Sequence, residues 1–158
     1  MNERTLTLEQ ALHKAQSLCA RQERCSWDIR SKLKQWHIIA GDIEIIITKL
    51  KADKFLDDER YAHMFAREKS KFNKWGPIKI TYKLKSKNIP DEIVKSVMSE
   101  IHVEKDDKSL FELIIKKSKT IKAKSAYDLK VKLIRFGISR GFDYGLVSET
   151  VSSVIKLE

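Results

Sequence analysis

Apolar residues recur along this chain at intervals of three and four, the spacing of helices that bury one face. Leu8, Ala11, Leu12, Ala15, Leu18 and Cys19 keep that rhythm behind a Thr7–Gln10 pair spaced as a capping box, which predicts a first helix. A second begins at Cys25 or Ser26 and carries Ile29, Leu33 and Trp36; a third carries Ile43, Ile46, Ile47 and Leu50. Asp57 is the predicted N-cap of a fourth, with Leu56 and Tyr61 placed as a hydrophobic staple. Asp58 and Glu59 then fall in the turn where the helix dipole favours negative charge. Pro77 suits the first turn of a fifth helix built on Ile80 and Leu84, and Asn88 can take the left-handed conformation that ends it. Pro90 opens a sixth with Ile93, Val94, Val97 and Ile101, and Asp106 or Asp107 a seventh with Leu110, Phe111, Ile114 and Ile115. Ser125 caps an eighth, through Leu129, Leu133 and Phe136 to Gly141; a ninth holds Leu146, Val147, Val151 and Val154. Nine helices leave almost no room for strands, so the predicted fold class is all-α.

The helices repeat. Ile29, Leu33 and Ile38 recur at the same internal spacing as Ile80, Leu84 and Ile89, and again as Leu133, Gly137 and Phe142, each set followed by a polar turn and another helix. In the third copy Gly137 fills an apolar slot, and pairing by Leu129 and Leu133 offers a rival register. Helical periods of about 50 residues signify stacked supersecondary units. Three tandem three-helix modules follow, at residues 1–54, 55–104 and 105–158, forming an elongated, curved array.

Charge sharpens the picture. The net charge is +10, and residues 67–87 hold eight basic side chains against one acid, Glu68. Residues 116–135 hold eight more against Asp128 alone, so the remainder of the chain is slightly acidic and the excess is no uniform lysine bias. Both windows flank a junction between helices and point to a polyanion, either a phosphate backbone or the acidic surface of a protein filament. Phe72, Trp75 and Tyr82 are interleaved with the first window, where they can stack on bases or pack between modules.

Catalytic chemistry is not legible. His13, His37, His63 and His102 are scattered without a nucleophile motif, and Gly76-Pro77 lacks the glycines and Lys-Ser/Thr of a phosphate-cradling loop. Asp57 and Asp58 point about 100° apart on a helix, which favours a cap over a metal site. Cys19 and Cys25 lack the paired close spacings of a zinc site and are expected as reduced thiols. No enzymatic activity, metal or cofactor is expected. The N-terminus "MNERTLTLEQ" has no signal-peptide core, and the run Ile45, Ile46, Ile47 is too short to span a bilayer, so a cytoplasmic protein is expected.

Four stretches in order, "ALHKAQSLCARQERCSWDIRSKL", "FLDDERYAHMFAREK", "KWGPIKITYKLKSKNI" and "ISRGFDY", resemble the RecX family of bacterial regulators of RecA recombinase. Leu56, Asp58, Arg60, Tyr61 and Ala62 match one of its patterns, Gly76, Ile80, Leu84, Lys87 and Ile89 a second, and Arg140, Gly141 and Phe142 a third. Serine is usual in the family where this chain has Cys25, which would move the cap of helix two to Ser26. The resemblance implies three tandem three-helix repeats and binding to the RecA–single-stranded DNA filament. It further implies limited filament growth or stability, with less ATP hydrolysis, strand exchange and co-protease activity. It also implies binding to DNA itself, single-stranded DNA first and double-stranded DNA as a further partner; a monomer is expected. Arg67, Lys71, Lys74, Lys79, Lys83, Lys87, Lys130, Arg135 and Arg140 are the candidate contacts with DNA or filament. Arg24 and Arg60 are expected to bridge a neighbouring module's carboxylates. A nucleic-acid-binding protein of helical modules without a RecA target is the alternative.

Overall fold

A computed structural model describes residues 5–102 and 106–157 of the 158-residue chain. Every regular element among the described residues is a helix: α1 (Leu8–Arg21), α2 (Ser26–Gln35), α3 (Ala40–Ala52), α4 (Asp58–Lys71), α5 (Pro77–Ser86), α6 (Asp91–His102), α7 (Asp106–Ser118), α8 (Ala126–Ser139) and α9 (Tyr144–Leu157). The expected boundary between residues 104 and 105 lies outside the described residues.

Local signals place most helix starts. The Thr7 hydroxyl accepts the Gln10 N–H at 3.1 Å while the Gln10 side-chain oxygen accepts the Thr7 N–H at 3.0 Å, closing the capping box of α1. Ser125 accepts the Asp128 N–H at 3.1 Å at the head of α8, and Asp57 accepts the Arg60 N–H at 3.0 Å at the head of α4.

The start of α2 departs from expectation. Cys25, not Ser26, holds the N-cap position. The Ser26 N–H, already inside the helix, donates to the Asp58 carboxylate at 2.7 Å, and the Cys25 N–H donates to Asp28 at 3.3 Å. The Asp28 N–H points at the Cys25 sulfur, a weak acceptor, while the two carboxylates serve the Cys25 and Ser26 amides.

The repeat reappears in the backbone. His37, Asn88 and Gly141 stand at corresponding positions of the three copies, and all have positive φ: 59°, 55° and 95°. After α2 the His37 N–H reaches Lys34 O and the Ile38 N–H reaches Leu33 O, both at 3.0 Å. After α8 the Gly141 N–H reaches Ile138 O at 2.9 Å and the Phe142 N–H reaches Gly137 O at 3.3 Å, the same paired bonds that close a helix through a left-handed residue. The third copy therefore uses Leu133, Gly137 and Phe142, with Leu129 only partly buried. A Cβ at Gly137 would lie 2.6 Å from Cγ1 of Val147, so Val147 packs where a side chain at this position would stand.

The helices pack as two units, one running to His63 and including Lys87–Ile89, the other holding Met64–Ser86 and continuing from Pro90. In the first, Ala11 and Ala15 of α1 let Ile29 and Leu33 of α2 close on Ile43, Ile46, Ile47 and Leu50 of α3, with Leu56 beneath. In the second, α5 packs on α6, and Leu110, Ile114, Leu133, Val147, Val151 and Val154 form the core of α7, α8 and α9.

Within the second unit, α5 begins where α8 ends. The N–H groups of Gly76 and Ile78, which no turn of their own helix can satisfy, donate to the carbonyls of Arg140 at 2.6 Å and Gly141 at 3.0 Å. A Cβ on Gly76 would stand 2.7 Å from the Phe142 nitrogen, and one on Gly141 2.7 Å from the Lys79 nitrogen. The contact is backbone on backbone, and only glycine permits it.

Candidate nucleic-acid interface

The end of α4, the turn after it, α5 and the residue that follows carry the first basic window, and three of its eight cations, Lys69, Lys79 and Lys87, are partly buried. Trp75 is half-buried, edge-on to Phe65 at 6.1 Å, with Lys69 Nζ 5.3 Å and Lys79 Nζ 4.3 Å from its ring centre. Lys79 also reaches Ser139 O at 3.5 Å, and the Arg140 guanidinium donates to Asn73 O, so both tie the α4–α5 turn to the end of α8. Lys85 pairs with Asp91 at 3.6 Å. Arg67, Lys71, Lys74 and Lys83 are exposed, as are Phe72 and Tyr82. Pro77, Ile78, Tyr82, Phe142 and Leu146 line a groove of about 540 Å³ beside them.

Lys87 belongs to the first unit and bonds Asp28 at 2.8 Å, its ammonium 5.6 Å from the Tyr61 ring and 5.8 Å from that of Trp27. Burial works against its charge, but hydrogen bonds with Asp28 and Tyr61 outweigh that and raise its pKa. Arg60 forms the bridge expected of it, to Glu23 at 2.9 Å, and its guanidinium also reaches Lys54 O at 3.2 Å. The Nε of Arg24, by contrast, is buried and has no hydrogen-bond partner among the described residues.

The end of α7, its turn and α8 carry the second window, and here the charge faces water. Lys117 lies over the Phe136 ring at 5.1 Å, and Lys132 bonds Asp128 at 2.9 Å and Lys122 O at 2.8 Å. Asp128 also accepts the Lys124 N–H at 2.9 Å. That backbone bond, then the Lys132 ammonium, hold its carboxyl below the usual range, and it stays charged but matched. Lys116, Lys119, Lys122, Lys124, Lys130 and Arg135 are exposed. Of the sequence-derived candidates, Lys130 and Arg135 lie here, near one end and the middle of α8, while Lys79 and Arg140 meet at its other end. Fourteen residues at 1.5 Å each separate the two ends by about 20 Å.

One residue of this surface escaped the sequence reading. Tyr127, in the first turn of α8, is 77% exposed. Periodicity is silent about an aromatic outside the apolar stripe; the signal available was its spacing of three from Lys124 and from Lys130.

Both thiols are free, Cys25 fully buried and Cys19 partly so. Burial pushes the Cys25 thiol from its ordinary 9.0 up to about 12. Below 9 the folded and unfolded chains both hold this proton; between 9 and about 12 only the unfolded chain loses it, so stability falls through that window. Cys25→Ser, which keeps the cap, is expected to flatten this alkaline loss in denaturant midpoints measured from pH 8 to 11. An unaltered slope would assign the loss to other groups.

The molecule is thus a helical repeat protein with a lysine-rich surface at each end of one helix. Family models for the second and third three-helix domains of RecX match residues 57–98 and 104–151. The regulatory protein RecX of Clostridium perfringens is 32% identical over 126 residues, 78% of this chain and 58% of that protein. That of Clostridium botulinum is 30% identical over 132 residues, 82% of this chain and 61% of that protein. The chain spans about three fifths of the length of these curated relatives. The crystal structure of RecX from Lactobacillus salivarius superposes with a TM-score of 0.73 at 20% identity, over 96% of this chain and 97% of that one. A second RecX crystal structure gives 0.76 at 22% identity, over 96% and 74%; at such identities the likeness is one of fold. The chain belongs to the RecX family. No helix among the described residues is long and apolar enough to cross a membrane.

Proposed function

We propose that this protein regulates a RecA-type recombinase by binding the RecA–single-stranded DNA filament and limiting its growth or stability. ATP hydrolysis, strand exchange and co-protease activity of the filament fall as a result. The observation that carries the reading is the exposed cluster of six basic side chains at α7 and α8, on a chain of the RecX family. That cluster meets DNA phosphates or filament carboxylates, while Arg67, Lys71, Lys74 and Lys83 give a second basic surface. Lys79, Lys87 and Arg140 contribute chiefly by holding their turns in place. On this reading the protein is a cytoplasmic monomer without catalytic activity or cofactor, built of modules at residues 1–54, 55–104 and 105–158.

The test is DNA-stimulated ATP hydrolysis by the cognate RecA, titrated with this protein at saturating single-stranded DNA. Inhibition is expected well below one molecule per RecA monomer and is expected to persist when free DNA is added. Inhibition that needs the DNA to be covered, and that extra DNA relieves, would replace the reading with the alternative of a plain nucleic-acid-binding protein.

A further inference from the structure

We infer that the α7–α8 turn is a single-strand binding site in which Tyr127 is the platform for an unpaired base and the surrounding lysines hold the flanking phosphates. The inference rests on the DNA-binding part of the function proposed above and goes further, since it fixes the ligand as unpaired nucleic acid and names the residue that reads it. Nothing in lysine chemistry separates single strands from duplex, because both offer phosphates. An exposed aromatic ring does separate them, because only an unpaired base presents its face for stacking.

Three aromatic rings within the basic windows are exposed: Phe72, Tyr82 and Tyr127. Tyr82 has lysines three residues before and after it, but Lys79 is drawn to Ser139 O and the Trp75 ring, and Lys85 to Asp91. Phe72 has Lys69 three residues before it, engaged with Trp75 and Phe65, and Lys71 already 5.3 Å over its own ring. Tyr127 also has lysines at both spacings, Lys124 and Lys130. Neither ammonium makes an ion pair or a ring contact among the described residues, and both side chains are exposed. The single acid of this sequence window, Asp128, is matched by Lys132 and the Lys124 N–H. The Lys132 bond to Lys122 O also fixes the turn that presents Lys119, Lys122 and Lys124. The ring is therefore free, flanked by uncommitted cations, on a turn whose shape is set before any ligand arrives.

The experiment measures binding of the full chain to a labelled oligothymidylate and to a mixed-sequence duplex of equal length, at several salt concentrations. Base-on-ring stacking contributes about 1–3 kcal/mol, so Tyr127→Ala is expected to weaken single-strand binding by roughly 5- to 150-fold. Duplex affinity should change by less than about twofold, and the salt dependence should stay as it was. Tyr127→Phe keeps the ring and is expected to bind like the original. Lys122→Gln with Lys124→Gln is expected to weaken both ligands and to flatten the single-strand salt slope by about 0.7 for each phosphate no longer neutralised. Equal single-strand affinity for Tyr127→Ala and the original chain, or an equal loss on both ligands, would overturn the platform and leave the proposed function standing. Failure of the original chain to bind single strands at all would remove both the platform and the DNA-binding part of that function.

Discussion

Gly141→Val is expected to lower the stability of the protein by about 4 kcal/mol, because it strains the backbone and parts two helix ends at once. Valine is the poorest kind of residue for a φ of 95°, being branched at the atom that clashes first. Its Cβ would also press on the Lys79 backbone, 2.7 Å from the nitrogen, and could be relieved only by moving α5 away from α8. That movement would leave the Gly76 and Ile78 N–H groups, now bonded to Arg140 and Gly141 carbonyls, without acceptors. For a chain of this size the loss corresponds to roughly 8–16 °C in Tm. Thermal unfolding checks it, and a midpoint within about 2 °C of the original would show that the two turns do not need each other.

The second large effect is expected at Asp28, whose carboxylate takes both the Lys87 ammonium at 2.8 Å and the Cys25 N–H at 3.3 Å. Asp28→Ala leaves a half-buried ammonium with no carboxylate and a helix start with one acceptor fewer; a cost of about 2–4 kcal/mol follows. Lys87→Met keeps most of the aliphatic stem and leaves Asp28 its capping bond, so it should cost less. If the two act as a pair, the double variant will be scarcely less stable than Asp28→Ala alone in denaturant titrations. Costs that simply add would mean no coupling. The sign with pH is fixed by the raised pKa of Lys87: the contribution is fully present below the ordinary lysine value of 10.5 and is lost as pH rises past it.

What the sequence disclosed was local. Thr7, Asp57 and Ser125 act within four residues of where they stand, and their helices start as the pattern predicts. The left-handed turns at Asn88 and Gly141 were legible because residue type favours them, whereas His37 adopts the same conformation under the geometry of its helix end. Asp58 serving Ser26, and Gly76 lying against Gly141, depend on segments 32 and 65 positions apart being folded together, and no window of sequence contains both. Charge was legible as an amount but not as an availability. Counting found eight basic residues in each window; packing decides that Lys79, Lys87 and Arg140 are ties while Lys124 and Lys130 stay exposed, with no ion pair among the described residues.

The bonds from Asp58 to Ser26, Arg60 to Glu23 and Lys87 to Asp28 have a consequence for how such a chain can be divided or inherited. The motif repeats every 51 to 53 residues, yet the first folded unit draws three of its polar partners from the second period. A fragment cut at residue 54 would contain all three of its helices and none of those partners. Duplication can copy the period, but a module moved alone into another protein leaves its keystones behind in the next one.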